Sequence, residues 1–218
     1  ISGKSKVTSI GSVGMMFVGG QSGATKLHVT GESEYDLQMK GYAHALRVNL
    51  SKNPSSILVD QNSKLHLSQA TKGASAIVLG NGATLTMDNG TLITEGNFLK
   101  GIYSLGSNST TTIRNGSHVD VNSIVGTKSD KGQKLIVTGG TLTYDYKADN
   151  TLWPVNEQGD KLTNFLLTKD DTHANFDALS YKGQTYTYLS DLNKETGKQY
   201  LSVWVPAAAL NYMLDVDG

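Results

Sequence analysis

The chain contains no cysteine, which excludes a disulfide framework, a thiolate metal site and a cysteine nucleophile. That lack is compatible with an oxidising exterior. Only two of its basic residues, Arg47 and Arg114, are arginine, so the planar fork that grips phosphate or carboxylate bidentately is scarce. Nineteen basic residues against nineteen acidic ones leave a formal net charge of zero. A balance of that kind carries no electrostatic footprint for nucleic acid or an anionic membrane surface. No stretch of the sequence approaches the roughly 20 apolar residues that cross a bilayer, and no basic segment followed by an apolar run marks the first residues. No membrane insertion of this segment is expected.

Proline is rare as well, with 3 residues against 24 glycines, and charged residues make up only 17% of the chain. Such a composition turns often through left-handed backbone without the polarity of a disordered segment. At 218 residues the chain is long enough to bury a sizeable core.

What is present is a repeat: a short alternating strand, a polar or glycine turn, then a second alternating strand. Good copies are Ser56-Ile-Leu-Val-Asp-Gln-Asn-Ser-Lys-Leu-His-Leu67, Ala83-Thr-Leu-Thr-Met-Asp-Asn-Gly-Thr-Leu-Ile93 and Thr110-Thr-Thr-Ile-Arg-Asn-Gly-Ser-His-Val-Asp-Val121. Taking Gly3, Gly31, Asn62, Asn89, Asn115 and Gly139 as turn anchors gives spacings of 28, 31, 27, 26 and 24 residues. A third apolar element recurs between the copies, at Met15–Val18, Ala45–Val48, Ala76–Leu79, Gly101–Leu105 and Ser123–Val125. Three short strands per turn form the repeat unit of a right-handed parallel β-helix, a β-solenoid of about five rungs whose alternate side chains share one lumen.

The residues expected to face that lumen are Leu27, Val29, Leu37, Ile57, Val59, Leu65, Leu67, Leu85, Met87, Leu92, Ile113, Val119, Val121, Leu135 and Val137. Asn-Gly between alternating strands is also a hairpin signal, so a sandwich built of antiparallel hairpins stands as the alternative. The first residues, Ile1 to Ile10, read as the second half of a rung, which leads to the expectation that the chain is a piece of a longer protein.

The periodicity covers residues 1–145 and stops there; residues 146–218 are expected to form a small cap or companion with β-hairpin character. Tyr181–Leu189 and Lys198–Val205 flank the turn-like Asn193–Gly197 and read as that hairpin. Leu162 to Leu167 could continue a strand, and Ala207 to Leu214 could start a short helix. A terminal element of this kind would cover the open edge of the last rung.

Chemistry is thinly represented. A lyase on this fold needs clustered carboxylates holding calcium and a base for the proton α to a uronate. The candidates Asp36, Asp60, Asp88, Asp120 and Asp145 lie on separate rungs without a recurring pair, and neither arginine is beside them in sequence. The polygalacturonase signatures are missing, and the sole Asp-Asp, Asp170-Asp171, falls outside the repeat. Five histidines show no His-x-His or Glu-x-x-His spacing, so no metal or other cofactor is expected. His28 and His66 should point outward. Only aromatics suggest a binding surface, because sugar rings dock on flat aromatic faces. Tyr144, Tyr146 and Trp153 fall where the repeat ends, and Tyr186 and Tyr188 alternate on the hairpin. The competing reading is that Trp153, Trp204 and the tyrosines cement the junction.

The rungs Leu85-Thr-Met-Asp-Asn-Gly-Thr-Leu92 and Ile113-Arg-Asn-Gly-Ser-His-Val119, together with the thin lyase chemistry, resemble the pectate-lyase-like adhesin domain of Gram-positive surface proteins, including Lactobacillus adhesins. The resemblance covers residues 1–145 and rests on turn chemistry, so no binding residue carries over from it. It implies an extracellular, cell-wall-anchored protein that holds host epithelial or mucus glycans, glycoproteins or polysaccharide. Two other functions remain open: a polysaccharide lyase or hydrolase, and a stalk segment without its own ligand.

Overall fold

Strands here are short because many of the alternating runs are cut by a residue that takes left-handed backbone, as at Gly31, Asn62, Asn89 and Asn115. The computed structural model describes residues 1–17, 25–48 and 55–162, together with the backbone of four later strands. A first partial turn comprises β1 (Lys6–Gly11) and β2 (Met15–Phe17). Three-strand turns follow: β3 (Lys26–Val29), β4 (Glu34–Met39) and β5 (Leu46–Val48); then β6 (Ser56–Asp60), β7 (Lys64–Gln69) and β8 (Ser75–Leu79). The next are β9 (Thr84–Asp88), β10 (Thr91–Gly96) and β11 (Lys100–Ser104), then β12 (Thr110–Arg114), β13 (Ser117–Asp120) and β14 (Ile124–Val125). A last turn holds β15 (Lys134–Val137), β16 (Gly140–Asp145) and β17 (Pro154–Val155), after which come β18 (Leu166–Leu167), β19 (His173–Asp177), β20 (Tyr186–Tyr188) and β21 (Trp204–Pro206).

Each strand of the coil pairs in parallel with its counterpart one turn away, which makes three sheets running along one axis. Sheet 1 is β1-β4-β7-β10-β13-β16, extended by β19 and β18; sheet 2 is β14-β11-β8-β5-β2; sheet 3 is β17-β15-β12-β9-β6-β3. The fold is therefore a β-solenoid of about five turns. The hairpin alternative fails at its own signal: β9 and β10, on either side of Asn89-Gly90, pair with β6 and β12 and with β7 and β13, not with each other.

Stacking puts like positions into columns. On sheet 3 the register aligns Leu27, Ile57, Leu85, Thr111, Leu135 and Pro154. On sheet 1 it aligns Tyr35, Leu65, Leu92, Val119 and Leu142. Leu46, Ile77, Ile102 and Ile124 form the matching column of sheet 2. All fifteen residues expected to face the lumen are buried. Each such aliphatic side chain contributes about 1.5–3 kcal/mol on leaving water, and no rung could bury that surface alone.

The corner between sheets 3 and 1 explains the turn chemistry. Gly3, Gly31, Asn62, Asn89 and Asn115 adopt φ of 72°, 69°, 59°, 55° and 54°, the region open to glycine and tolerated by asparagine. At the sixth anchor the left-handed residue is Gly140 and not Gly139. Just past these corners a serine column ties rungs together: the Ser5 N–H donates to Ser33 Oγ (3.2 Å), the Ser33 N–H to Ser63 Oγ (3.1 Å) and the Gly90 N–H to Ser117 Oγ (3.2 Å). Those hydroxyls satisfy backbone donors at the corner, buried ones at Ser33 and Gly90.

Beyond Asp145, where the sequence repeat ends, the chain keeps winding. Thr151 bridges to Val125, and β17 adds in parallel to β15. β19 then turns back and pairs antiparallel with β16, so the edge of sheet 1 in its last rung is covered. Of the strand expected at Leu162–Leu167, Leu166–Leu167 form β18, paired with β19. Of the expected hairpin, Tyr186–Tyr188 and Trp204–Pro206 pair antiparallel as β20 and β21. Its turn at Asn193–Gly197, the Asp170-Asp171 pair and the expected helix at Ala207–Leu214 lie outside the described residues.

Candidate binding surface

The aromatic residues singled out at the end of the repeat are placed by the last turn of the coil. Leu142 and Tyr144 alternate inward on β16, so Tyr144 is fully buried and its hydroxyl donates to the Leu152 carbonyl at 3.0 Å. Burial, and then the neighbouring Asp145, push the phenol well above its ordinary range. A ring enclosed this way offers no face to a ligand, so Tyr144 is corrected from a candidate contact to a core residue. Its period-two spacing from Leu142 was the available signal.

Tyr146 and Trp153 do come together, edge to face, with ring centroids 6.3 Å apart and planes at 86°. Both are partly buried and packed on the core, and the Trp153 indole Nε1–H donates to the Leu162 carbonyl at 2.7 Å. Lys147 Nζ lies 5.5 Å from the Tyr146 ring centroid. This pair clamps the last turn onto the coil and leaves part of each ring in solvent. Tyr186 and Tyr188 lie on β20; their side chains fall outside the described residues.

The carboxylates that looked scattered in sequence are aligned by the winding. Asp60 and Asp88 occupy equivalent positions on adjacent rungs of sheet 3, and Arg114 is next in the same register. Arg114 donates to Asp88 Oδ2 from Nε (3.0 Å) and Nη2 (2.7 Å), and Asn115 Nδ2 donates to Oδ1 (2.6 Å). The Asn115 hydrogen bond, followed by Arg114 and partly opposed by burial, holds the Asp88 carboxyl below its ordinary range. His28 Nε2 lies 2.9 Å from Asp60 Oδ2.

On sheet 1, His66 stands between two carboxylates, with Nδ1 3.0 Å from Asp36 Oδ1 and Nε2 3.2 Å from Glu95 Oε2. Gln38 donates to the other oxygen of Asp36 at 2.7 Å. His28 is exposed and His66 partly so, which fits their outward placement. Sequence reading missed these groupings because partners lie 26 to 32 residues apart; the repeat spacing itself is the signal that finds them. Among the described residues no three His, Asp, Glu or Cys side chains are placed to share a metal ion.

Chemically, Asp88 is unsuited to general acid work, because both of its oxygens accept hydrogen bonds that favour the ionised form. The outward columns mix polar and apolar side chains, as in His28, Leu58, Thr86, Thr112 and Ile136 of sheet 3, repeating about every 4.8 Å, the spacing of neighbouring strands. No protein family, characterised protein or solved structure matches the chain.

Proposed function

We propose that this chain is a binding module of a bacterial cell surface, which holds host epithelial or mucus glycoprotein or polysaccharide along the side of the coil. The observation that carries this reading is the use made of the outward carboxylates. Asp88, Asp60 and Asp36, which a solenoid hydrolase or lyase would need free for acid, base or calcium work, are engaged with Arg114, Asn115, His28, His66 and Gln38. Apart from the Gln38 contact, which lies within β4, those contacts knit neighbouring rungs together. What the coil offers instead is extended lateral surface, the form of site that suits repetitive polymers.

The test is direct binding of the chain to mucin and to arrayed glycans, alongside adhesion to epithelial cells. Saturable binding to a defined glycan class supports a module with its own ligand. Flat signal in both assays leaves a stalk segment, and unsaturated or reducing-end products from pectin-type polymers would replace binding by catalysis.

A further inference from the structure

The zero net charge of the chain hides a sharp division between its faces. Sheet 2 and the corner leading into it occupy residues 40–48, 70–79, 97–104 and 121–127 in successive turns. Those segments contain Lys40, Arg47, Lys72 and Lys100, together with His44, and no aspartate or glutamate. The corresponding stretches of sheets 3 and 1, residues 26–39, 56–69, 84–96, 110–120 and 134–145, contain eight acidic residues and four Lys or Arg. Sheet 2 and its corner are therefore net positive by four, and those stretches of sheets 3 and 1 are net negative by four, or by two once Lys4 and Lys6 of the first turn are added.

The cations of sheet 2 form no ion pair with a carboxylate among the described residues. Every ion pair among the described residues belongs to the other sheets and their corner, and none involves Lys40, Arg47, Lys72 or Lys100. Register places Arg47, Val78 and Tyr103 in one column and aligns Ser75 with Lys100. Lys100 Nζ sits 3.6 Å from the centroid of the Tyr103 ring. The Ser75 N–H donates to His44 Nδ1 at 3.1 Å, which needs that nitrogen unprotonated, and burial with Arg47 and Lys100 pushes the His44 pKa down. At the corner Lys40 and Lys72 are exposed, and Tyr42 and Leu99 are 70% and 50% exposed. Together these put cations on three consecutive rungs, which span about 10 Å at the ordinary strand spacing, with a solvated aromatic ring and an apolar side chain at their corner.

We infer that the outer face of sheet 2, with its leading corner, is a binding site for an acidic glycan, a short run of sugar rings bearing carboxylate or sulfate groups. The inference rests on the binding-module reading and names its ligand class and its face. Lysine-type point charges attract such groups without demanding bidentate geometry, and Tyr42 offers a ring on which a sugar can stack. The acidic flanking sheets confine the polyanion to this strip and repel any that would wrap further, which disfavours long nucleic acid.

The experiment measures binding of the full chain to chondroitin sulfate, to sialylated mucin glycans and to their desulfated and desialylated forms, at about 0.05 and 0.3 M salt. Two triple variants are compared: Arg47→Gln/Lys72→Gln/Lys100→Gln on sheet 2, and Lys26→Gln/Lys64→Gln/Lys134→Gln elsewhere. Each removes three positive charges. The expected result is salt-weakened binding to at least one acidic form, reduced about 10-fold or more by the sheet 2 triple and less than about 2-fold by the other.

The sulfated and sialylated arms tell the two anion sources apart. Should the sheet 2 triple unfold by circular dichroism, Lys40→Gln/Lys72→Gln, which changes only exposed side chains, gives the same contrast with about a 3-fold loss. Equal binding to acidic and neutral glycans, equal loss in both triples, or preference for single-stranded DNA overturns the inference. Binding to neutral mucin glycans alone would sink this inference and leave the binding module standing. Absence of binding to every glycan would sink both.

Discussion

Thr111 interrupts an otherwise apolar column. Its register neighbours are Leu85 and Leu135, both buried, with Ile57 and Leu27 further along. Thr111 is itself 0% exposed, and its Oγ1 has no hydrogen-bond partner. A hydroxyl brought from water into such surroundings without a partner costs about 1–3 kcal/mol. Valine has nearly the same shape, so Thr111→Val should remove that cost without opening a cavity. The expected gain is about 1 kcal/mol, or a rise of about 2–4 °C in Tm for a chain of this length.

Two companions make the test specific. Thr112→Val, one residue on and facing outward, should change stability by less than about 0.5 kcal/mol. Thr111→Ser keeps the stranded hydroxyl and deletes a methyl, so it should lose about 1 kcal/mol. Guanidinium unfolding followed by far-ultraviolet circular dichroism, with unchanged m-values, reads all three. A Thr111→Val protein no more stable than the parent, or a Thr112→Val protein that gains equally, would refute the assignment of Thr111 to the lumen.

Other perturbations follow from the same geometry. A Cβ added at Gly90 would lie 2.6 Å from the Val59 carbonyl oxygen and 2.9 Å from Val59 Cγ1, so Gly90→Ala should cost about 1–3 kcal/mol by forcing neighbouring rungs apart, measurable by the same unfolding curves. Tyr144→Phe should lose about 0.5–1.5 kcal/mol with its bond to Leu152 and leave glycan affinity untouched, since the ring never reaches solvent; altered affinity with intact folding would contradict this. Asp88 is held below its ordinary pKa, so it adds stability above that ordinary value and loses it as pH falls through the folded one. Asp88→Asn should accordingly flatten the acid limb of a stability–pH curve, and an unchanged limb would count against the Arg114 and Asn115 contacts. His44 is pushed below its ordinary 6.5, so the unfolded chain takes up the proton first. Stability should fall as pH drops through 6.5 towards the folded value, and His44→Gln should lessen that slope over the same window.

Much of the coil was legible because its cause is local. Alternation marks the lumen residues, and a corner that needs left-handed backbone selects Gly or Asn at Gly31, Asn62, Asn89 and Asn115. The five expected third elements coincide with β2, β5, β8, β11 and β14 to within a residue or two. The site was less legible, because its partners meet only through winding. Asp88 and Arg114 are 26 residues apart, and nothing near either one announces the other. Charge balance summed over the chain concealed the division between sheets, which emerges once residues are sorted by face. Tyr144 was misjudged because its neighbourhood in sequence, the end of the repeat, outweighed its place in the alternation of β16.

The reversal of direction at β19 bears on how such coils meet one another. A parallel rung offers an incoming chain a template that repeats its own polarity, so bare coil ends can stack without limit into a fibre. β19 runs against β16 and β18 runs against β19, so the even, slanted bonds of the parallel ladder give way there to the alternating narrow and wide bonds of an antiparallel one. The edge of β16 is already taken by β19, so a second copy cannot pair with β16 and continue the parallel winding of sheet 1 there.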